Sequence, residues 1–374
     1  MKEKTINYAG RVIPVIAQVD LCVAGGGTAG AAAAITAGRQ GLKTLLVERS
    51  IALGGMQTIG LVEPFMPTFV RGSDTPWVKE IKRRLKKAGI EYSDGKTGAT
   101  WTNPETLAVL YDELTIAAGV QVLYQAALVD VLKKGKKITV VIVQTVQGMV
   151  GVQAAMFIDA TGDALLSRLA SVPTEAGYEK TGHNQPMSFR FEMAGIDLPK
   201  LVKHIHKTKD TWCKTQLPHF EIAEARHREI KYKLENFFLP GLKSKELTEE
   251  DIEYFQAFTI IGKPGCMAMN CPELPVRFKA TEALTYSEGV QYGRAMMRRI
   301  STYLIQHLPG FEHAYLSKEA AMLGARESFR IRGKYYLTEK DYYARATFAD
   351  GVVKNAYYID AHGEKVGEYL KQGE

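Results

Sequence analysis

The sequence predicts an α/β fold, in which a mostly parallel sheet flanked by helices continues into an antiparallel meander and is followed by a second, α+β region. Three observations predict it. Residues 18–24 (QVDLCVA) and 43–48 (KTLLVE) are apolar runs of buried-strand length, separated by a glycine turn and an alanine-rich stretch of helical period over 30–41. Residues 120–147 are punctuated at Lys134-Gly135-Lys136 and read as two or three strands of an antiparallel meander. From about Pro173 the composition shifts toward Tyr, His and basic residues with scattered prolines, and helical stretches alternate with loops to about residue 306. The division that follows is a first domain at 1–172, with a β-turn-α-β unit at 18–48, the meander at 120–150 and a return strand at 153–163. A second region occupies 173–306, and 307–374 return toward the first domain.

The remaining elements follow in order. Residues 5–18 alternate loosely around Tyr8-Ala9-Gly10, a hairpin feeding the first buried strand. Residues 79–87 hold Lys79, Lys82, Arg83, Arg84, Lys86 and Lys87, with Ile81 and Leu85 on one stripe, as in a helix with a solvated basic face. Residues 104–118 read as a helix, with Asn103 as N-cap, Pro104 at the first position and Gly119 past the end.

Composition excludes several classes. The 374 residues carry Lys+Arg 48 against Asp+Glu 41, a net +7 that is mild for this length and calls for no nucleic-acid partner. Four cysteines are too few for a disulfide-built fold, which fits a reducing, cytoplasmic compartment. The uncharged stretch 21–38 is dominated by glycine and alanine, too weakly apolar for a membrane span. Cys266 and Cys271 form no metal-ligand pattern, and His204-x-His206 would present two imidazoles only from one strand face; no metal is expected.

The densest signal is Gly25-Gly26-Gly27-Thr28-Ala29-Gly30, a G-x-G-x-x-G between a strand and a helix. Gly25 permits the tight turn, Gly27 leaves room for a pyrophosphate against the backbone, and Gly30 lets helix and strand pack closely. The helix start offers N–H groups and a positive dipole end to phosphates. Glu48, closing the second strand, is placed to accept from ribose hydroxyls, and its charge disfavours a 2′-phosphate. The neighbouring Arg49 and the run Gly54-Gly55-Met56 suit a long cofactor continuing past the pyrophosphate. So does Asp159-Ala160-Thr161-Gly162-Asp163, a glycine turn at a strand's carboxyl end, where Gly162 and Asp163 are candidate contacts.

With these motifs the sequence resembles the FAD-dependent oxidoreductase family of glutathione-reductase-like fold, distantly similar to fumarate reductase flavoproteins. The resemblance extends over roughly residues 17–363, through Trp101-x-x-Pro104-Glu105, Gln185-Pro186-Met187-Ser188-Phe189-Arg190-Phe191 and Arg326-Glu327-Ser328-x-Arg330-x-x-Gly333. It implies a Rossmann-like FAD domain, a small-molecule substrate and residues 173–306 as an inserted α+β cap over the flavin ring. Residues 50–63 contain neither His nor Cys, so the flavin is expected to be non-covalent. Family members usually finish in a strand and glycine-rich helix contacting the flavin. The sequence ends Tyr369-Leu370-Lys371-Gln372-Gly373-Glu374 without that pattern, and the expectation is that a partner chain or a further segment completes the flavin site. A homo-oligomer is compatible with this reading.

For chemistry, Arg190 and Arg326 occupy the family-like motifs and offer bidentate forks for a carboxylate; inter-domain salt bridges are the alternative. His183 is a candidate proton shuttle or an exposed loop residue. The expected function is flavin-mediated hydride transfer on a small polar or anionic substrate. The alternatives are a non-catalytic, partner-dependent remnant of the family and a flavin monooxygenase.

Overall fold

The structure, a computed structural model, describes residues 4–66, 75–93, 99–208, 217–226, 234–352, 354, 357 and 359. Its contacts divide the chain into two compact units. One holds the segment up to Thr58, Glu105–Ala176 and Phe329–Lys354; the other holds Ile59–Pro104 and Gly177–Ser328.

The first unit is built on a seven-stranded sheet. Its strands run in the order Gln121–Leu123, Thr44–Val47, Arg11–Ala24, Gly148–Asp159, Lys137–Thr145 and Ala127–Lys134, with Thr5–Tyr8 hairpinned onto Arg11–Ala24. The first four pair in parallel and the last three antiparallel. The α/β expectation holds, and the helix Thr28–Arg39 joins the first two buried strands as the glycine turn requires. The Ala9-Gly10 turn has positive φ at both residues, which matches the strand twist of a two-residue hairpin. Valines and small residues from both parts of the sheet, among them Val19, Cys22, Val47, Val141 and Val152, form one apolar layer.

Two expectations need correction here. Gln121–Leu123 is not part of the meander: it extends the parallel sheet beside Thr44–Val47. The meander's third strand and the return strand are one element, Gly148–Asp159, which pairs antiparallel with Lys137–Thr145 at its start and parallel with Arg11–Ala24. A strand with a different partner on each edge carries no sequence mark of the exchange.

The second unit centres on a five-stranded antiparallel sheet ordered Glu221–Arg226, Tyr254–Thr259, Met267–Met269, Phe191–Ala194 and Tyr315–Glu319. One face is apolar: Phe191, Met193, Phe255, Ala257, Met267 and Met269 pack with residues of the long helix Ala283–His307, including Met296 and Ile300. Residues 59–104, assigned from sequence to the first domain, belong with this unit; Leu61 is part of its core. Residues 307–328 do likewise, and Tyr315–Glu319 is its edge strand.

The basic stretch forms the helix Pro76–Lys87, buried at Ile81 and Leu85 and N-capped by Thr75. His204 and His206 lie in the helix Leu198–Lys207 rather than a strand, so two residues apart they do not share a face. Among the described residues no helix is long and apolar enough to cross a membrane.

Candidate functional site

In the first unit the strands Arg11–Ala24 and Gly148–Asp159 end side by side, with Asp159 in register with Ala24. This brings the Gly25–Gly30 turn against Ala160: a Cβ on Gly25 would lie 2.7 Å from the Ala160 carbonyl oxygen, and Gly25 has φ +95°. A Cβ on Gly30 would lie 1.8 Å from the Gly25 oxygen. Both glycines are therefore required by the protein itself. Gly27 differs. A Cβ there would meet nothing within 4 Å, and its φ of −63° is open to any residue. Space is kept at Gly27 that the chain does not fill.

Around that space stand polar backbone groups. Gly27 begins the helix Thr28–Arg39, whose start has no side-chain cap, so its first N–H groups face outward as a helix dipole's positive end. The Gly54 segment folds onto the same turn. Gly27 and Gly54 form a parallel bridge, the Gly54 amide donates to the Gly26 carbonyl at 2.9 Å, and the Thr28 hydroxyl donates to the Gly54 carbonyl at 3.3 Å. Met56 lies in the short 3₁₀ turn that follows.

Glu48 is buried, and its carboxylate takes the Gly26 amide at 2.6 Å on Oε2 and the Ser50 amide at 2.7 Å on Oε1. It fixes the glycine turn, a role sequence reasoning missed. Each carboxylate oxygen has a second lone pair, so capacity for a ribose hydroxyl remains. Arg49 is exposed beside it. At the adjoining strand end Asp159 organises the turn: Oδ1 accepts from the Thr161 amide and hydroxyl, Oδ2 from the Ser167 amide. Gly162 is exposed at its tip, and a Cβ there would meet nothing within 4 Å; Asp163 is half-buried beside it. These residues fit an extended dinucleotide: an open glycine, an uncapped helix start and a ribose-competent carboxylate lie on one end of the sheet.

The second unit carries a different chemistry. In its sheet Glu192, Ala268 and Phe258 stand in cross-strand register, with Glu221 opposite Phe258, on the face away from the apolar core. Glu192, almost fully buried, accepts from Lys263 Nζ at 2.8 Å. On the neighbouring strands Asn270 donates to Tyr254 and Gln256, and Gln256 donates to Glu221. His219 lies between Tyr92 and Trp101, at ring separations of 4.8 and 4.0 Å.

Arg190 belongs to this polar region. It is buried, its Nη1 donates to the Leu61 carbonyl at 3.2 Å, and Glu63 Oε2 lies 3.8 Å away. Among the described residues the Arg190 Nε and both Glu63 carboxyl oxygens make no well-formed hydrogen bond, although the Glu63 amide lies near enough to its own carboxyl to favour the ionised form slightly. Glu63 is 1% exposed, and burial pushes its carboxyl up to about 8, only partly opposed by Arg190. Desolvation likewise presses on the Arg190 guanidinium, which nevertheless keeps its proton. Glu63 was not legible as a site residue: it lies in no motif, and only its fold places it against Arg190.

Arg326 acts on Arg190 as a nearby like charge, and its own partner is Glu273 at 3.6 Å. Much of the surrounding motif is structural. Glu327 accepts from the Gly177 and Gln185 amides, holding both ends of the loop that contains His183. His183 itself sits in the tight turn closed by the Tyr178 amide on its carbonyl. Cys266 and Cys271 are unbridged, and burial raises the Cys271 thiol. No cluster of potential metal ligands occurs among the described residues.

The family model described as FAD dependent oxidoreductase matches residues 20–373. No curated protein matches in sequence. Among solved structures, a geranylgeranyl bacteriochlorophyll reductase-like protein from Thermoplasma acidophilum is 14% identical, with 84% of this chain and 66% of that chain covered at a TM-score of 0.49. A myxobacterial chondrochloren halogenase gives 14%, 84%, 64% and 0.48. The p-nitrophenol 4-monooxygenase of Pseudomonas putida gives 8%, 85%, 70% and 0.48. The chain thus spans slightly less than two thirds of the first two, and likenesses at this level carry no argument about activity.

Proposed function

We propose, from the premise that this chain belongs to the FAD-dependent oxidoreductase family, that it binds FAD non-covalently along Gly25–Gly30 and oxidises or reduces a small polar or anionic organic molecule. The observation that carries this reading is the open space at Gly27 between two glycines that the fold itself requires. FAD, when bound, supplies the hydride chemistry. The chain's own groups bind and orient: the helix start at Thr28 faces phosphate, Glu48 takes the ribose, and the Gly54-Gly55-Met56 and Gly162-Asp163 turns border the cofactor's further course. Arg190, with Arg326 beside it, holds a substrate carboxylate, because a buried guanidinium with an unpartnered Nε favours a forked anionic ligand. The unbridged Cys22, Cys266 and Cys271 suit a cytoplasmic site of action.

Titration of the purified chain with FAD, followed by flavin fluorescence and absorbance, tests the assignment. Saturable spectral change and bleaching of the bound flavin by dithionite are expected; no saturable change would remove the reading.

The same reading includes a completing segment. Pairing of Gly148–Asp159 with Lys137–Thr145 ends at Gln153, and beyond it, among the described residues, the strand pairs with Arg11–Ala24 alone. Met156 and Ile158 are exposed there, at 66% and 37%. An open edge of this kind invites a further strand, from a partner chain or another segment. Addition of the terminal strand–helix segment of a family member should tighten FAD binding; tight stoichiometric FAD without it would contradict this part.

A further inference from the structure

Arg190 and Glu63 are both buried and oppositely charged in their usual forms, yet they stand at 3.8 Å without a hydrogen bond between them. A committed buried ion pair closes to short, forked geometry, because only that contact offsets the loss of water. Here the guanidinium spends Nη1 on a backbone carbonyl and leaves Nε unused, while among the described residues the two Glu63 carboxyl oxygens have no donor nearer than the Glu63 amide itself, which makes no well-formed bond. The arrangement is that of a site waiting for a third polar group.

Charge counting says which. The charged groups that act on Glu63 include Arg190, Glu192 and Lys263, and those that act on Arg190 include Arg326, with Tyr254 and Cys271 also near it. Lys263 lies 2.8 Å from Glu192, and Arg326 3.6 Å from Glu273. Arg190 has Glu63 as its ion-pair partner among the described residues. With Glu63 ionised the Arg190–Glu63 pair sums to zero; with Glu63 protonated the pair carries one positive charge. Only the protonated arrangement carries a charge that an anion balances, and it also presents an O–H donor to that anion.

Resting on the reading that Arg190 holds an anionic substrate, we infer that Glu63 is the positioning residue of a proton-coupled site for one carboxylate, in which the neutral Glu63 carboxyl donates to the same ligand that Arg190 pairs. The buried position of Glu63 supports the neutral form at neutral pH. Ionisation of Glu63 then expels the ligand, since two carboxylates would share one guanidinium in a low-dielectric site. The substrate class this selects is a compound with one carboxylate at the Arg190 end; a doubly charged end group would exceed the single positive charge.

The test is calorimetric titration of the full chain with acetate, which stays ionised throughout, from pH 6.5 to 9.5, with acetamide as the uncharged control. The expected result is acetate binding at pH 6.5 that weakens about tenfold per pH unit once Glu63 ionises. Glu63→Gln, which keeps a neutral donor, should bind acetate at pH 6.5 comparably to the unaltered chain and hold that affinity to pH 9.5. If the chain and Glu63→Gln share one pH profile, the inference is overturned while Arg190 remains a carboxylate ligand. If acetate fails to bind at pH 6.5, or Arg190→Met leaves binding unchanged, the underlying reading falls and the inference with it. Infrared difference spectra between the chain and Glu63→Gln give a readout independent of ligand and of the Arg190 variant's folding. A carboxylic-acid C=O band at pH 7 lost in Glu63→Gln supports a neutral Glu63, and its absence overturns it.

Discussion

Gly27 and Gly54 lie side by side as a parallel β-bridge, so that two glycine turns 27 residues apart in sequence form one backbone surface. The neighbouring Gly54 amide–Gly26 carbonyl bond locks them together. The two glycines are glycine for different reasons. Gly54 has φ +95° and a Cβ there would lie 2.6 Å from Thr58 Cγ2 and 2.8 Å from a Tyr111 ring carbon, whereas a Cβ on Gly27 would meet nothing within 4 Å.

Gly54→Ala should therefore destabilise the fold whether or not cofactor is present. The left-handed backbone alone costs about 1–2 kcal/mol for an L-residue, and the clash with Thr58 and Tyr111 adds to it. Urea denaturation of the chain without added FAD measures the loss; an unchanged midpoint would contradict the geometry.

Glu48→Ala removes the acceptor of two backbone amides as well as the ribose ligand. The loss of both bonds to a buried carboxylate is expected to cost roughly 2–4 kcal/mol, and FAD affinity should fall with it. Denaturation in the absence of FAD separates the effects: a variant with full stability and weak FAD would show that Glu48 serves the ligand alone.

Burial raises the Glu63 carboxyl to about 8 in the folded protein, above its ordinary value. The folded state therefore holds a proton that the unfolded chain releases. This contribution to stability is fully present below the ordinary carboxylate range, declines as pH rises, and is lost by the time pH passes about 8. The slope is on the order of 1 kcal/mol per pH unit for this single group. Comparing denaturation of the chain and Glu63→Gln at several pH values should show the chain losing stability relative to the variant as pH rises from 5 to about 8. Parallel curves would mean that Glu63 is ionised throughout.

Much of the first unit was legible because its rules are local. A strand entering glycines, a small-residue helix and a second strand ending in Glu48 specify one chain path, and the structure follows it from Arg11–Ala24 to Thr44–Val47. What local rules do not contain is partner choice. Gln121–Leu123 sits beside Thr44–Val47, and Gly148–Asp159 changes its neighbour partway, through pairings set by the assembled sheet. The second unit was less legible still. Its strands are short, Met267–Met269 and Phe191–Ala194 among them, and their alternation is hidden because Glu192 and its neighbours on the polar face are also buried. Arg190 stood out by its motif. Glu63 did not, since nothing in Val62-Glu63-Pro64 marks a carboxyl that only the strand pairing of Pro64 with Trp101 carries into the interior.

The central claim is that the space at Gly27 belongs to the pyrophosphate of FAD, and Gly27→Val tests it most directly. Because the protein itself has nothing within 4 Å of that Cβ and the φ there is open to any residue, the variant should fold, losing only the roughly 1 kcal/mol that a valine costs at the N-cap of Thr28–Arg39. The measurement is a fluorescence titration of both proteins with FAD, alongside thermal denaturation without it. The account predicts cooperative melting of both proteins, at most slightly lower in the variant, and saturable FAD binding by the unaltered chain that Gly27→Val weakens by at least about 1.4 kcal/mol, a tenfold change in affinity. Equal affinity for FAD in the two folded proteins would contradict it.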